Sequence, residues 1–250
     1  MQIEYHKRFS RHLGRDMEFK VYGHAGRPAL VFPTSNGRFF QYEDSGCIGV
    51  LADRIDAGEI RIWTADGIDG ETFFSESNDL WGRIGRHEAY FRYIGEELLP
   101  EILDLARRTP ILTGCSMGAF HASNFLFRFP ERVAGVIALS GVYSTRHFFG
   151  ETLDGQIYFN SPVNYLAGLN DEAMLNRIRS RRLFFCCGQG AWEDEMIVDS
   201  RRLDAVLQDK RIPAWVDFWG SDASHDWTWW HRQIAYFFAK WLGDDRATAK

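Results

Sequence analysis

Stretches typical of β-strands alternate with stretches typical of helices along most of this 250-residue chain. Eight segments are rich in the β-branched and aromatic residues that strands favour: 2–9, 17–22, 29–32, 60–65, 110–113, 133–140, 182–187 and 214–219. Helical spacing of apolar residues occurs over 48–57, 86–107, 117–129, 196–208 and 227–242. Because a helix between two parallel strands forms a right-handed crossover, the alternation predicts an α/β fold, with a mostly parallel eight-stranded sheet and helices on both faces.

The N-terminal end of this pattern has a simpler connection. The first two strands are joined by residues 11–15, a turn that contains Gly14 and is too short for a helix, so we expect an antiparallel hairpin at one sheet edge. No linker or internal repeat divides the chain, which predicts a single domain over residues 1–250. Residues 141–180 lack a regular pattern, and we interpret them as a small cap segment over the sheet.

Charge and hydropathy exclude several classes of partner. The chain carries 34 acidic and 29 basic residues, a net charge of −5, so it has no basic surface for nucleic acid. No apolar run approaches the roughly 20 residues of a membrane span, and residues 1–15 contain no apolar signal stretch. We therefore expect a cytoplasmic protein with no membrane or nucleic-acid partner. Its aromatic residues could fill a core or cover an interface, which leaves a homo-oligomer open.

The cysteines do not indicate a metal site. The four cysteines have no C-x-x-C spacing, and Cys186 and Cys187 lie next to each other in an apolar run. We interpret all four as buried thiols, neither a disulfide framework nor a zinc site.

A nucleophile motif follows the fifth predicted strand. Gly114, Ser116 and Gly118 form G-x-S-x-G between that apolar strand and a helical pattern. In this motif a serine on a sharp strand-to-helix turn is exposed above the sheet edge. The glycines allow the close backbone approach that the turn requires. The context predicts that Ser116 is a nucleophile.

Such a serine needs a histidine base and an acid, which follow it in the order Ser, acid, His. His225 lies in a polar loop between the last strand and the last helix, whereas His231 falls within the helical pattern, so His225 is the predicted base. Three consecutive carboxylates, residues 193–195, follow the penultimate strand. One could orient the histidine and the others could begin the next helix, where acids favour the positive end of the dipole. The spacing alone does not choose among them.

Together these residues resemble a known family. The landmarks are Asn36-Gly37-Arg38 after the third strand, the serine motif, Cys187-Gly188-Gln189-Gly190, and Ser224-His225-Asp226-Trp227. The chain resembles, over nearly its whole length, the α/β-hydrolase-fold esterases that include esterase D, S-formylglutathione hydrolase and the mycolyltransferases. The resemblance implies the α/β-hydrolase fold, with Ser116 as nucleophile and His225 as base.

The acid and the oxyanion hole also follow from the resemblance. The mycolyltransferase spacing implies Asp194 as the acid, and the esterase D spacing implies Glu193. We take Asp194, with Glu193 as the alternative. The elbow assigns one oxyanion donor to the backbone N–H of Met117, and the resemblance assigns the other to Arg38.

The expected activity is therefore that of a serine esterase. A Ser-His-Asp triad would hydrolyse a small-molecule ester or thioester through an acyl-enzyme, without metal or organic cofactor. Residues expected to line the substrate pocket are Gly37, Phe39, Trp192 and Trp227. The alternatives are an acyltransferase that uses the same triad and, in another class, a non-catalytic binding protein; the complete set of Ser116, His225 and an acid argues against the latter.

Overall fold

Eight strands form one sheet in the computed structural model, which describes the backbone of residues 1–248 and the side chains of residues 1–243. The strands are β1 (Ile3–Ser10), β2 (Arg15–Tyr22), β3 (Arg27–Val31), β4 (Ile60–Ala65), β5 (Ile111–Cys115), β6 (Gly135–Leu139), β7 (Arg182–Cys187) and β8 (Trp215–Phe218). Their order in the sheet is β1-β2-β4-β3-β5-β6-β7-β8. β2 pairs antiparallel with both β1 and β4, and every other pairing is parallel. The mostly parallel sheet with an antiparallel N-terminal hairpin is thus confirmed.

The helices occupy the predicted connections with different boundaries. They are α1 (Gln41–Asp44), α2 (Cys47–Val50), α3 (Ala52–Asp56), α4 (Leu80–Tyr93), α5 (Leu99–Ala106), α6 (Met117–Arg128), α7 (Arg146–Phe149), α8 (Gly155–Tyr158), α9 (Pro162–Gly168), α10 (Glu172–Arg179), α11 (Asp194–Asp209) and α12 (Trp227–Thr248). Short 3₁₀ turns span Asp69–Glu71 and Pro130–Arg132. The helix expected over 48–57 is divided into short pieces, and the preceding α1 was not predicted.

The long helix expected over 86–107 begins earlier, at Leu80, and is interrupted. A π-helical turn, Ile94–Leu98, separates α4 from α5. Pro100 lies in the first turn of α5, and a proline has no N–H to donate and needs space near the carbonyl four residues back. A wider turn before the proline provides that space, which explains the interruption.

The sheet is buried on both faces. Along β3 and the residue that follows it, alternate side chains point to opposite sides: Ala29 and Val31 pack against the α12 side, and Leu30 and Phe32 against the α6 side. All four are at most 1% exposed. Burying a large apolar side chain contributes about 1.5–3 kcal/mol, so these two layers hold the strand ends, and the loops that follow them, in place.

Residues 141–180 form four short helices, α7 to α10, between β6 and β7. α9 packs on α6 and α11, and α8 packs on α4. Asn160 of this segment donates a hydrogen bond of 2.6 Å to Glu88 on α4 and accepts one from Arg128 at the end of α6. The segment is therefore anchored on helices that flank the sheet. Among the described residues, no helix combines the length and hydropathy that a membrane span requires.

Candidate active site

Ser116 occupies the tight turn between β5 and α6. Its backbone has φ 55° and ψ −121°, a strained conformation for a residue with a side chain. The Ser116 N–H donates a 2.8 Å hydrogen bond to the carbonyl of Leu139 at the end of β6. The side chain is partly exposed. The turn thus holds the hydroxyl at the carboxyl edge of the sheet, where a substrate can reach it.

The two glycines of the motif allow this turn by permitting close backbone contacts. A Cβ on Gly114 would lie 2.4 Å from the carbonyl carbon of Gly118. A Cβ on Gly118 would lie 2.3 Å from the carbonyl oxygen of Phe32 and 2.7 Å from that of Pro33. All three distances are too short for a carbon atom, so a side chain at either position would push the start of α6 away from its neighbours.

His225 contacts Ser116 across the carboxyl edge of the sheet. Its Nε2 lies 3.0 Å from Ser116 Oγ, and its backbone N–H donates to the carbonyl of Ala191 at 2.9 Å. The Trp230 ring meets the imidazole edge-on, with 4.8 Å between ring centroids. The loop between β8 and α12 is therefore fixed by both a backbone hydrogen bond and an aromatic contact.

The carboxylate at His225 belongs to Glu193, which corrects the choice of Asp194. Glu193 Oε2 lies 3.2 Å from His225 Nδ1, and the residue is 1% exposed. Asp194 is exposed and is the first residue of α11. The carboxylate that contacts His225 therefore lies one position before Asp194.

The start of α11 explains why these neighbouring acids have different environments. Asp194 and Glu195 occupy the first helical turn, where their charges meet solvent and the positive end of the helix dipole. The Glu193 N–H donates to the Gly190 carbonyl at 3.3 Å in a turn that precedes the helix, and this turn directs Glu193 into the protein. Trp192 has a φ of 67°, a left-handed conformation that completes the turn.

A serine that sequence reasoning missed completes the surroundings of Glu193. The hydroxyl of Ser140 donates to Glu193 Oε1 at 2.5 Å and accepts a 3.1 Å hydrogen bond from Trp230 Nε1. Burial, and then the charge of Glu193, raise the pKa of Cys187, which remains a thiol and donates to Oε2 at 3.5 Å. The sequence offered only one signal for this role of Ser140, its position directly after β6. In the sheet, β6 lies between β5, which precedes Ser116, and β7, which precedes Glu193.

The two backbone N–H groups expected to be oxyanion donors have no protein acceptor. Within the part of the chain that the structure describes, neither the Met117 N–H nor the Arg38 N–H donates to a protein acceptor. Arg38 lies in residues 32–40, between β3 and α1, which we term the 32–40 loop. The loop approaches α6 closely at Gly118. Its turn is held by Gln41, whose side chain accepts the Thr34 N–H at 2.8 Å.

The residues expected to line a substrate pocket have three kinds of environment. Phe39 is 7% exposed and contacts the ring of Tyr5 at 5.7 Å between centroids. Trp227 is partly buried and meets Trp230 edge-on at 4.9 Å. Trp192 is 81% exposed. Their role in binding remains a prediction.

Gly37, the fourth of these residues, is buried. A Cβ at this position would lie 2.4 Å from Gln41 Oε1, so a side chain would disturb the contact that holds the loop.

His231 contacts the backbone between α1 and α2: its Nε2 lies 2.7 Å from the carbonyl oxygen of Ser45.

Among the residues with described side chains, no group of three or more His, Cys, Asp or Glu residues is arranged to hold a metal ion. The four cysteines are buried and free.

Solved structures with a similar fold cover nearly the whole chain. A ferulic acid esterase is 18% identical, with a TM-score of 0.73 over 94% of this chain and 95% of the other. FphF, a fluorophosphonate-binding serine hydrolase of Staphylococcus aureus, is 15% identical, with a TM-score of 0.69 over 96% and 98%. An S-formylglutathione hydrolase from Agrobacterium tumefaciens is 14% identical, with a TM-score of 0.72 over 97% and 94%.

At these identities the structural matches show a shared fold. No curated protein matches the chain. The model of one family, described as "Putative esterase", matches residues 10–240, which include the turn at Ser116 and the loop of His225. With that match and the α/β-hydrolase fold of its sheet, the chain belongs to the esterase family and is a carboxylic ester hydrolase.

Proposed function

We propose that this protein hydrolyses small carboxylic esters or thioesters through a triad of Ser116, His225 and Glu193. The observation that carries the proposal is the continuous contact from Ser116 Oγ to His225 Nε2 at 3.0 Å and from His225 Nδ1 to Glu193 at 3.2 Å. A serine hydroxyl becomes a nucleophile when a base takes its proton, and the base must be held in one tautomer. A carboxylate at Nδ1 keeps the proton on that nitrogen, which leaves Nε2 free to accept the serine proton.

The reaction then has two halves. Ser116 Oγ bonds to the substrate carbonyl carbon while its proton passes to His225 Nε2, and the carbonyl oxygen becomes an oxyanion. The oxyanion collapses, the bond to the leaving oxygen or sulfur breaks, and His225 returns the proton to that atom. Water then attacks the carbonyl carbon of the acyl-enzyme while His225 takes its proton. The bond to Ser116 Oγ breaks, His225 gives the proton to Oγ, and the acid product leaves.

Charge that develops in this reaction meets groups already in place. Glu193 is buried against His225 and stabilises the imidazolium that forms in each half-reaction. The unpartnered N–H groups of Met117 and Arg38 are the proposed oxyanion donors. Removing one such donor typically lowers kcat by about 10²–10³-fold.

We favour hydrolysis over transfer because Ser116 is partly exposed, so water can reach the acyl-enzyme. The acyltransferase alternative uses the same triad but requires a dry, hydrophobic acceptor site, from which water is excluded. The two activities differ in their products when an alcohol or sugar is added during turnover.

The test is hydrolysis of p-nitrophenyl acetate, butyrate and octanoate by the wild type and by Ser116→Ala, with fluorophosphonate labelling in parallel. Loss of the nucleophile alone has lowered kcat by about 10⁶-fold in a serine protease, so we expect neither measurable turnover nor labelling of Ser116→Ala. Ser180→Ala is the matched control, because among the described residues this exposed serine contacts only its chain neighbours: its hydroxyl donates to the Arg177 carbonyl and accepts from the Arg181 guanidinium. It should behave as wild type. Full labelling of Ser116→Ala would overturn the proposal.

A further inference from the structure

Two buried aspartates outside the triad face the 32–40 loop. Asp66 and Asp69 follow β4 in residues 66–71, which we term the 66–71 segment. β4 runs parallel beside β3, so the segment and the loop leave the sheet at the same edge. Both aspartates are at most 4% exposed. Burying a carboxylate is costly unless it is paired or hydrogen-bonded, so its partners indicate what holds it there.

Asp66 contacts the loop on one side of Gly37. Its Oδ1 accepts the backbone N–H of Phe39 at 3.2 Å and the guanidinium Nε of Arg38 at 2.6 Å. The Arg38 guanidinium also donates to Glu18 at 2.6 Å, so the side chain is held between these two acids.

Asp69 contacts both the loop and the nucleophile helix. Its Oδ2 accepts the N–H of Asn36 at 3.3 Å, where the Asn36 backbone has a φ of 55°. Its Oδ1 lies 2.8 Å from Nε2 of His121, which stands on α6 five residues after Ser116. His121 and Asp69 are both buried. One carboxylate therefore connects the elements that carry the two proposed oxyanion donors.

These contacts leave one N–H of the turn free. The N–H groups of Asn36 and Phe39 donate to the two aspartates, and that of Gly37 donates to the Thr34 carbonyl at 2.8 Å. Within the described chain, the Arg38 N–H is the one of residues 36–39 that has no protein acceptor. The hydrogen bonds that fix the neighbouring N–H groups thus leave the Arg38 N–H available to donate to a ligand.

The packing between loop and segment leaves little freedom for adjustment. A Cβ on Gly67 would lie 2.6 Å from the carbonyl oxygen of Gly37. The backbones are therefore in direct contact between the two aspartates. Because the bonded N–H groups flank Arg38 on both sides, a shift of either aspartate would change the direction of the Arg38 N–H.

We propose that Asp66 and Asp69 are positioning residues. They hold the Arg38 N–H where it can donate to the same oxyanion as the Met117 N–H. Neither aspartate contacts the reacting atoms: Asp66 acts through Phe39, and Asp69 acts through Asn36 and His121. The inference rests on the proposed function, because it assigns these aspartates to the oxyanion site of the same reaction. Preorganised donors stabilise charge that exists only in the transition state. Substituting either aspartate should therefore lower kcat and leave KM nearly unchanged.

Asp69→Asn removes one of the two acceptor oxygens and the charge. We expect kcat for p-nitrophenyl butyrate to fall by about 10–100-fold, less than the roughly 10²–10³-fold effect of losing an oxyanion donor completely, with KM within about threefold. A trifluoromethyl ketone, which forms an oxyanion adduct with the serine, should lose affinity by the same factor as kcat/KM. Glu71→Gln is the matched control, because Glu71 belongs to the same segment but contacts Arg15 and Arg86; it should keep wild-type kcat.

A second measurement needs no variant. In the free wild-type enzyme, amide hydrogen exchange should be slow at Asn36 and Phe39 and fast at Arg38, and the ketone should slow exchange at Arg38. Fast exchange at Asn36 and Phe39, or wild-type kcat in folded Asp69→Asn, would overturn the positioning role. The proposed function would survive either result as long as Ser116→Ala remains inactive; an active Ser116→Ala would remove both.

Discussion

At the residue scale, one step along the chain separates a buried acid from a solvated one. Glu193 precedes the first turn of α11 and contacts both His225 and Ser140, whereas Asp194 begins the helix and faces solvent. The two carboxylates have almost the same chemistry. Their different roles come from where the helix begins, because the first helical residue points outward and the one before it points into the protein.

Glu193→Gln should therefore lower kcat/KM far more than Asp194→Asn. Replacing a triad acid by its amide allows the wrong histidine tautomer, which has cost about 10⁴-fold in a serine protease. Asp194 is exposed in the first turn of α11, and the contact with His225 belongs to Glu193. Because an exposed substitution usually leaves the fold intact, Asp194→Asn should keep kcat/KM within about twofold of wild type. Ester hydrolysis by the two purified variants is the measurement. Equal losses in both would reject Glu193 as the acid.

At the element scale, the nucleophile turn depends on how closely α6 approaches β5 and the start of the 32–40 loop. The strained Ser116 conformation persists because β5 and β6 hold one side of the turn and the core holds α6 on the other. Gly114 and Gly118 are the points of closest approach. The motif is thus a packing requirement as well as a chemical signature.

Gly118→Ala tests that requirement. Its Cβ would meet the Phe32 carbonyl oxygen at 2.3 Å, which should destabilise the protein by about 3 kcal/mol. Gly85→Ala on α4 is the control: no atom lies within 4 Å of that Cβ, and alanine in a helix should stabilise by about 0.5–1 kcal/mol. Urea unfolding compares the two. A Gly118→Ala variant as stable as wild type would contradict the close approach.

At the scale of the whole molecule, one buried histidine couples stability to pH. His87 on α4 is fully buried and packs against the rings of Phe91 and His121. Burial holds its pKa well below the ordinary value of 6.5, and the nearby His121 and Arg128 lower it further. The folded protein therefore keeps this ring neutral at pH values where the unfolded chain takes up a proton.

The sign of the effect follows from proton binding. Below pH 6.5 the unfolded state binds the extra proton, so stability is complete above that pH and falls as the pH decreases. One such group contributes up to about 1.4 kcal/mol per pH unit. His87→Gln should lose this part of the slope between pH 6 and 5, as measured by urea unfolding. His24→Gln, at an exposed position, should keep the wild-type slope; an unchanged slope in His87→Gln would refute the assignment.

Several features could be predicted from the sequence because their signals lie in neighbouring residues. The alternation of strands and helices predicted the parallel sheet, and the antiparallel hairpin followed from the short turn at Gly14. The glycines around Ser116 indicated the elbow, and the polar loop before α12 indicated His225. Each strand, helix or turn in these patterns is indicated by a few neighbouring residues, because backbone geometry and local packing decide it.

Only the tertiary structure decided which side chains meet. Ser140 and Glu193 are 53 residues apart in sequence, and Asp69 and His121 are 52 apart, yet both pairs are in hydrogen-bond contact. No local pattern encodes such contacts, because they depend on the order of strands in the sheet and on where α11 begins. The sequence by itself determined the fold and the types of residue that the site contains. Which acid contacts His225, and how the 32–40 loop is held, were decided by the three-dimensional packing of strand ends.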